Sequence, residues 1–217
     1  MQNESDLKKI GSVLLRFASY GIILLMVAKI IEIDMQDQSV TEGSLVENSQ
    51  EILVFINAVL VAVIGFKRPQ IRVFSYVFSA IAVVSLIREM DAFLENNLFD
   101  KAWQTLALIV IVPTLWFVFK NRSKLIDQVY GISNTFSFGL MFAGTIIIHA
   151  FARLFGRESA WTTLMTEENY VRAVKDAAEE GVELLGYAIV FMGAIELALL
   201  FSASKSEESP IHETEIK

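Results

Sequence analysis

The sequence predicts an all-α integral membrane protein: a bundle of six transmembrane helices with both termini cytoplasmic and the last helix extended on the outer side. Three observations predict it. The chain of 217 residues is 54% hydrophobic, and its mean hydropathy of +0.50 is high for a soluble domain. Its apolar residues fall into six segments, most long enough to cross a core of ~30 Å at ~1.5 Å per residue. Basic residues gather in alternate connections between those segments.

Taken in order, the first span covers 10–31, is entered through Asp6-Leu-Lys-Lys, and carries Arg16, which can snorkel to the interface. No small-residue cleavage site follows its apolar run, so a retained helix is expected rather than a signal peptide. The second covers 51–66 and extends backward through Gln50; Asn57 lies in its middle, placed to hydrogen-bond across the bundle. The third, 71–88, is opened by Pro69, where a missing N–H does no harm. The fourth, 102–119, has Trp103 and Trp116 near its two ends and Pro113 inside, which predicts a kink.

The fifth covers 135–154 and the sixth 182–203. Small residues (Gly139, Ala143 and Gly144; Gly186, Gly193 and Ala194) mark faces where these two backbones can approach. An amphipathic stem, 166–181, leads into the sixth span, so the whole reads as one helix that starts in water and finishes in lipid. The polar tail 204–217 contains Pro210 and reads as disordered.

Orientation follows from the connections. Lys67, Arg68 and Arg72 occupy one, and Lys120, Arg122 and Lys124 another, with no acid in either. The connection 32–50 holds Glu32, Asp34, Asp37, Glu42 and Glu47 with no base. The positive-inside rule then places the basic connections and both termini in the cytoplasm. Small size and absent cysteine point to a bacterial inner membrane.

Composition closes several function classes. Without cysteine there is no disulfide, Cys-based zinc site, Fe–S cluster or thiol nucleophile. Two histidines, His149 and His212, exclude a three-His zinc site, and a haem held by both, with His212 in the tail, is not expected. The last span has no lysine to hold retinal, and no Walker, Gly-x-Ser-x-Gly or His-Glu-x-x-His pattern is present. A net charge of −7 argues against nucleic acid. The lipid bilayer is the expected partner, with a homo-oligomer or a membrane partner subunit beside it.

The chemistry concentrates at the outer end. Glu51 enters the second span there, Arg88 and Asp91 leave the third, His149 and Arg153 end the fifth four residues apart, and Glu180 and Glu183 enter the sixth. Charges at membrane depth must be partnered, and three readings follow. Arg88 and Arg153 pair with Glu51, Asp91, Glu180 or Glu183 and fasten the helices together. Alternatively Asp91, His149, Glu180 and Glu183 hold a divalent cation; oxygen ligands with one imidazole favour Ca²⁺, Mg²⁺ or Mn²⁺ over zinc. In the third, the seven residues bind a small polar ligand or line an ion path.

The function expected is therefore a sensor, transport component or assembly subunit that binds a cation or small polar ligand. The alternative is a membrane-embedded metal-dependent hydrolase or transferase using the same residues. Deeper in the sixth span, Glu196 is expected to pair with Arg16 if the first and sixth helices pack together.

Overall fold

A computed structural model describes residues 2–37, 44–165 and 172–207. It is all-helical (92% helix), with no strand among the described residues. The elements run α1 (Gln2–Asp37), α2 (Leu45–Lys67), α3 (Arg72–Glu89), α4 (Asp91–Asn97), α5 (Ala102–Lys120), α6 (Arg122–Ile132), α7 (Phe136–Ile146), α8 (Arg153–Phe155), α9 (Glu158–Leu164) and α10 (Arg172–Glu207). A π turn, Ile147–Ala152, joins α7 to α8, and a 3₁₀ turn, Pro69–Ile71, joins α2 to α3.

Six helical stretches are long and apolar enough to cross a membrane: Ile10–Gln36, Leu45–Lys67, Pro69–Glu89, Ala102–Lys120, Phe136–Phe155 and Arg172–Ser202. They match the six expected segments to within two residues at each end, except that the first runs on to Gln36, the second starts at Leu45 and the sixth starts in the stem at Arg172. Three short helices, α4, α6 and α9, occupy stretches between the expected spans. Pro113 stands inside α5, which continues to Lys120. The stem runs unbroken into the sixth span from Arg172 onward; its residues 166–171, and 208–217 of the tail, lie outside the described residues, whereas 204–207 are helical.

α10 is the central helix. Of its most apolar window 56% is buried, against 11% for those of α1 and α5, which lie at the periphery. It packs on α1, α2, α7, the π turn and α8. Leu184, Ala188 and Met192 meet Tyr20, Val27 and Val46, while Tyr187 and Val190 meet Val54, Ala58, Ala82 and Ile148. Near the other end, Ala194 and Leu197 join Val61, Ile64, Ile71, Phe74, Ile132 and Met141.

Small residues set how closely helices approach. A Cβ on Gly144 would stand 2.8 Å from the Gly186 carbonyl oxygen and 2.9 Å from the Val190 nitrogen, so α7 and α10 touch backbone to backbone. Gly139 meets nothing within 4 Å, and Ala143 is exposed, so both lie off this contact. They stand more than a quarter of a turn from Gly144 around the helix, which turns them away from α10.

The α1–α2 junction is tied by a side chain the sequence left in an acidic loop. Asp34 is buried, and its carboxylate accepts from the Leu45 N–H at 3.2 Å and the Val46 N–H at 2.6 Å. A carboxylate at a helix start satisfies orphan donors and complements the helix dipole. Ser44 adds a cap by accepting from the Glu47 N–H at 3.1 Å.

Toward the end that carries Lys67 and Lys120, Glu196 is nearly buried and accepts from the Tyr20 hydroxyl at 2.7 Å. Arg16 Nε stands 3.1 Å from the same oxygen, close enough to ion-pair although its N–H is not aimed as a hydrogen bond. The contact joins α1 to α10, the pairing expected if those helices met. Arg16→Met should leave the carboxylate without its cation and cost about 1–3 kcal/mol, read as a lower unfolding midpoint in detergent. A midpoint equal to wild type would assign Glu196 to Tyr20 alone.

Candidate ionic site at the acidic end

α10 supplies the frame of the site. Arg172, Asp176, Glu180, Glu183 and Tyr187 recur every three or four residues and so share a helix face, with Lys175 and Glu179 beside them. The last turn of α3 brings Arg88 and Glu89, α8 brings Arg153, and α2 brings Gln50.

Glu183 is the hub. Only 2% exposed, it accepts at one carboxylate oxygen from Arg88 Nη2 at 3.0 Å and Arg153 Nη2 at 3.1 Å. Arg88 also bonds Glu89, whose carboxylate takes the Tyr187 hydroxyl at 2.7 Å. Arg153 Nη1 reaches Glu179 at 3.3 Å; Lys175 bridges Glu179 at 3.3 Å and Asp176 at 2.8 Å. Arg172, largely exposed, completes the chain at 3.6 Å from Asp176. Two guanidiniums on one oxygen hold α3 and α8 to α10 at a single point.

Glu180 is the exception. Every other carboxylate in this network meets a guanidinium or ammonium; among the described residues Glu180 is held only by the Gln50 amide, which donates to its side chain at 2.9 Å and to its backbone carbonyl at 2.8 Å. Gln50 is fully buried, and its own Oε1 has no partner among the described residues. Because Nε2 serves two acceptors, the amide orientation is fixed by its bonds, and the orphan is the oxygen. Glu180 and Gln50 thus present oxygen with neither cation nor further donor.

Of the seven residues singled out from sequence, Arg88, Arg153, Glu180 and Glu183 meet in this site. Glu51 forms no ion pair among the described residues, and Asp91 is exposed, accepting from the Ala92 N–H at 2.6 Å in the first turn of α4. His149 and Arg153 form no hydrogen bond with each other among the described residues, although both interact with Glu183. The π turn with its i→i+5 bonding separates them, so His149 lines a cavity beside Asn57, Ser85 and Tyr187 while Arg153 reaches α10. No hydrogen bond to the imidazole forms among the described residues.

Among the described residues, Asp91, His149, Glu180 and Glu183 are not grouped as three or more metal ligands. No group of three or more such side chains among the described residues is arranged to hold a metal ion. The physical reason is competition: Glu183 is taken by two guanidiniums, and Asp91 faces its own helix start.

Gln50, Glu89, Lys175, Asp176, Glu179 and Tyr187 join the site although none was among those seven. The recurrence along 172–187 was visible; which of those groups α3 and α2 would meet was not. No protein-family model, curated protein or solved structure matches this chain.

Proposed function

We propose that this chain is a multi-pass protein of the cytoplasmic membrane that binds a small cation, or a ligand bearing one ammonium group, at Glu180. The six apolar helices and the alternation of basic and acidic connections support spanning with both termini inside. The lipid bilayer is then its first partner, and α1 and α5 are the faces where a second copy or a partner subunit would seat. Inner-membrane location follows from the same reading.

A single observation carries the ligand: among the described residues Glu180, alone of the carboxylates of the network, has no cation, beside a buried oxygen of Gln50 that has no donor. Buried polar groups are almost always satisfied, and orphans mark the place of a water or an ion. Charge asks for a cation. Geometry asks for one that accepts a carboxylate and an amide oxygen rather than a cage of three acids. Glu180 lies one helical turn from the hub that holds α3 and α8, so its occupancy bears on how those helices sit. That suits a sensor or transport component.

Thermal unfolding of purified protein in detergent tests this, with N-methylglucamine exchanged for sodium, potassium or methylammonium at constant ionic strength. A cation at about 100 times its Kd stabilises by about 2.7 kcal/mol, or roughly 5–10 °C at this size. The shift should appear in wild type with one of these cations and vanish in Glu180→Gln. Equal midpoints in all four salts would sink the reading.

A further inference from the structure

We propose that α6, with the turn before it, is an interfacial helix that docks on anionic phospholipid headgroups. The inference rests on the reading that the apolar helices span a membrane with the basic end inward.

α6 is too short and too polar to span, and its inner face is fixed. Leu125 and Val129 pack against the buried cluster around Ile64, Ile71 and Phe74, and the Phe74 N–H donates to Gln128 Oε1 at 2.9 Å. The rest of its surface divides into two. Ile126 and Tyr130, one turn apart, are 67% and 82% exposed, and Trp116 and Phe119 stand equally open just before the helix. Beside them, Lys120 Nζ lies 5.1 Å from the Trp116 ring and the Arg122 guanidinium 5.4 Å from the Phe119 ring. Aromatic rings under cations at one level are the arrangement of a headgroup boundary.

Charge decides the partner. Lys67, Arg68, Arg72, Lys120, Arg122 and Lys124 gather at this end, and none pairs with a carboxylate among the described residues. The turn Phe119–Lys124 forms an open recess of about 580 Å³, wide enough for a headgroup. At the opposite end Lys29, Arg88, Arg153, Arg172 and Lys175 are held in ion pairs and, among the described residues, Lys101 and Arg157 are not, so the unpaired cations are concentrated at this end. A soluble phosphate would satisfy the cations but leave Ile126, Tyr130 and Phe119 in water, whereas an anionic lipid surface meets both.

The test is native mass spectrometry of the full chain released from detergent with phosphatidylglycerol or phosphatidylcholine of the same acyl chains. Wild type should retain phosphatidylglycerol at least tenfold over phosphatidylcholine. The triple substitution Lys120→Gln, Arg122→Gln, Lys124→Gln should lower that preference at least tenfold, since each such charge contributes about fivefold at an anionic surface. Asp127→Asn removes the acid of α6 and should raise the preference, which keeps the proposal testable if the triple variant folds poorly. Arg157→Gln, before α9, should change nothing.

Equal retention of the two lipids by wild type, an undiminished preference in a folded triple variant, or displacement of the lipid by millimolar inorganic phosphate would each overturn the proposal. Alkaline carbonate extraction of membranes separates the two readings. Release of the protein would sink the spanning reading; retention without lipid preference would sink only this one.

Discussion

Glu183→Gln should cost about 3 kcal/mol of stability, the low end for breaking a buried ion pair because Arg88 and Arg153 keep 30% and 44% of their side-chain exposure. Glutamine preserves shape and one acceptor oxygen, but it removes the charge that both guanidiniums share, and its NH₂ presents donors to donors. Two cations are then left part-buried with less than they need. The measurement is unfolding of the purified protein in a fixed detergent, by heat and by denaturant.

Arg153→Ala should cost less, because Arg88 still satisfies Glu183. Removing both partners should recover part of the Glu183 loss, with a coupling of about 0.5–3 kcal/mol in a double-mutant cycle. If Glu183→Gln unfolds within 0.5 kcal/mol of wild type, the network is not what holds α3 and α8 to α10. The same result changes how a ligand at this end should be sought. Glu183 is a structural hub, so its substitution confounds binding with folding, and Glu180 is the cleaner probe.

The second large effect is steric and lies in the apolar body. Gly144→Leu should prevent α7 and α10 from seating, and Gly144→Ala alone should cost about 1–3 kcal/mol. A methyl group at Gly144 meets Val190 Cγ2 at 2.7 Å and, just behind it, backbone, the Gly186 carbonyl and the Val190 amide, and backbone cannot swing aside as a side chain can. Gly193 repeats the situation, with the Met141 nitrogen 2.8 Å from its would-be Cβ. If the bundle stands in lipid, its helices have no hydrophobic drive to prefer each other over lipid, and such contacts then carry the association. Gly139→Ala supplies the contrast: nothing stands within 4 Å, so alanine should gain about 0.5–1 kcal/mol from its better helix propensity. Equal unfolding midpoints for the two alanine variants would show that the close crossing is not where the stability lies.

How much of this was legible in the sequence differs by level. Six apolar helices were legible because transfer of a 20-residue run into an apolar medium is a property of the run alone. The meeting of Arg16 with Glu196 was foreseeable as two rare charges at matching depth. α6 was overlooked although Leu125, Val129 and Ile132 stand at helical spacing, because a connection carrying Arg122 and Lys124 reads first as a charged loop. At the acidic end, depth grouped Glu51 and Asp91 with Arg88 and Glu183, but depth fixes only one coordinate. Facing is the other, and Asp91 turns to its own helix start.

By itself, then, the sequence determined the number of apolar spans, their approximate bounds and the separation of acidic from basic connections, all sums over neighbouring residues. Only the tertiary structure decided that two guanidiniums converge on Glu183 and that, among the described residues, Glu180 and Gln50 are left with oxygens to satisfy. Those outcomes depend on the azimuth of each helix about its axis. Azimuth is set by how glycines and side chains of separate segments fit together, and no single segment contains that information.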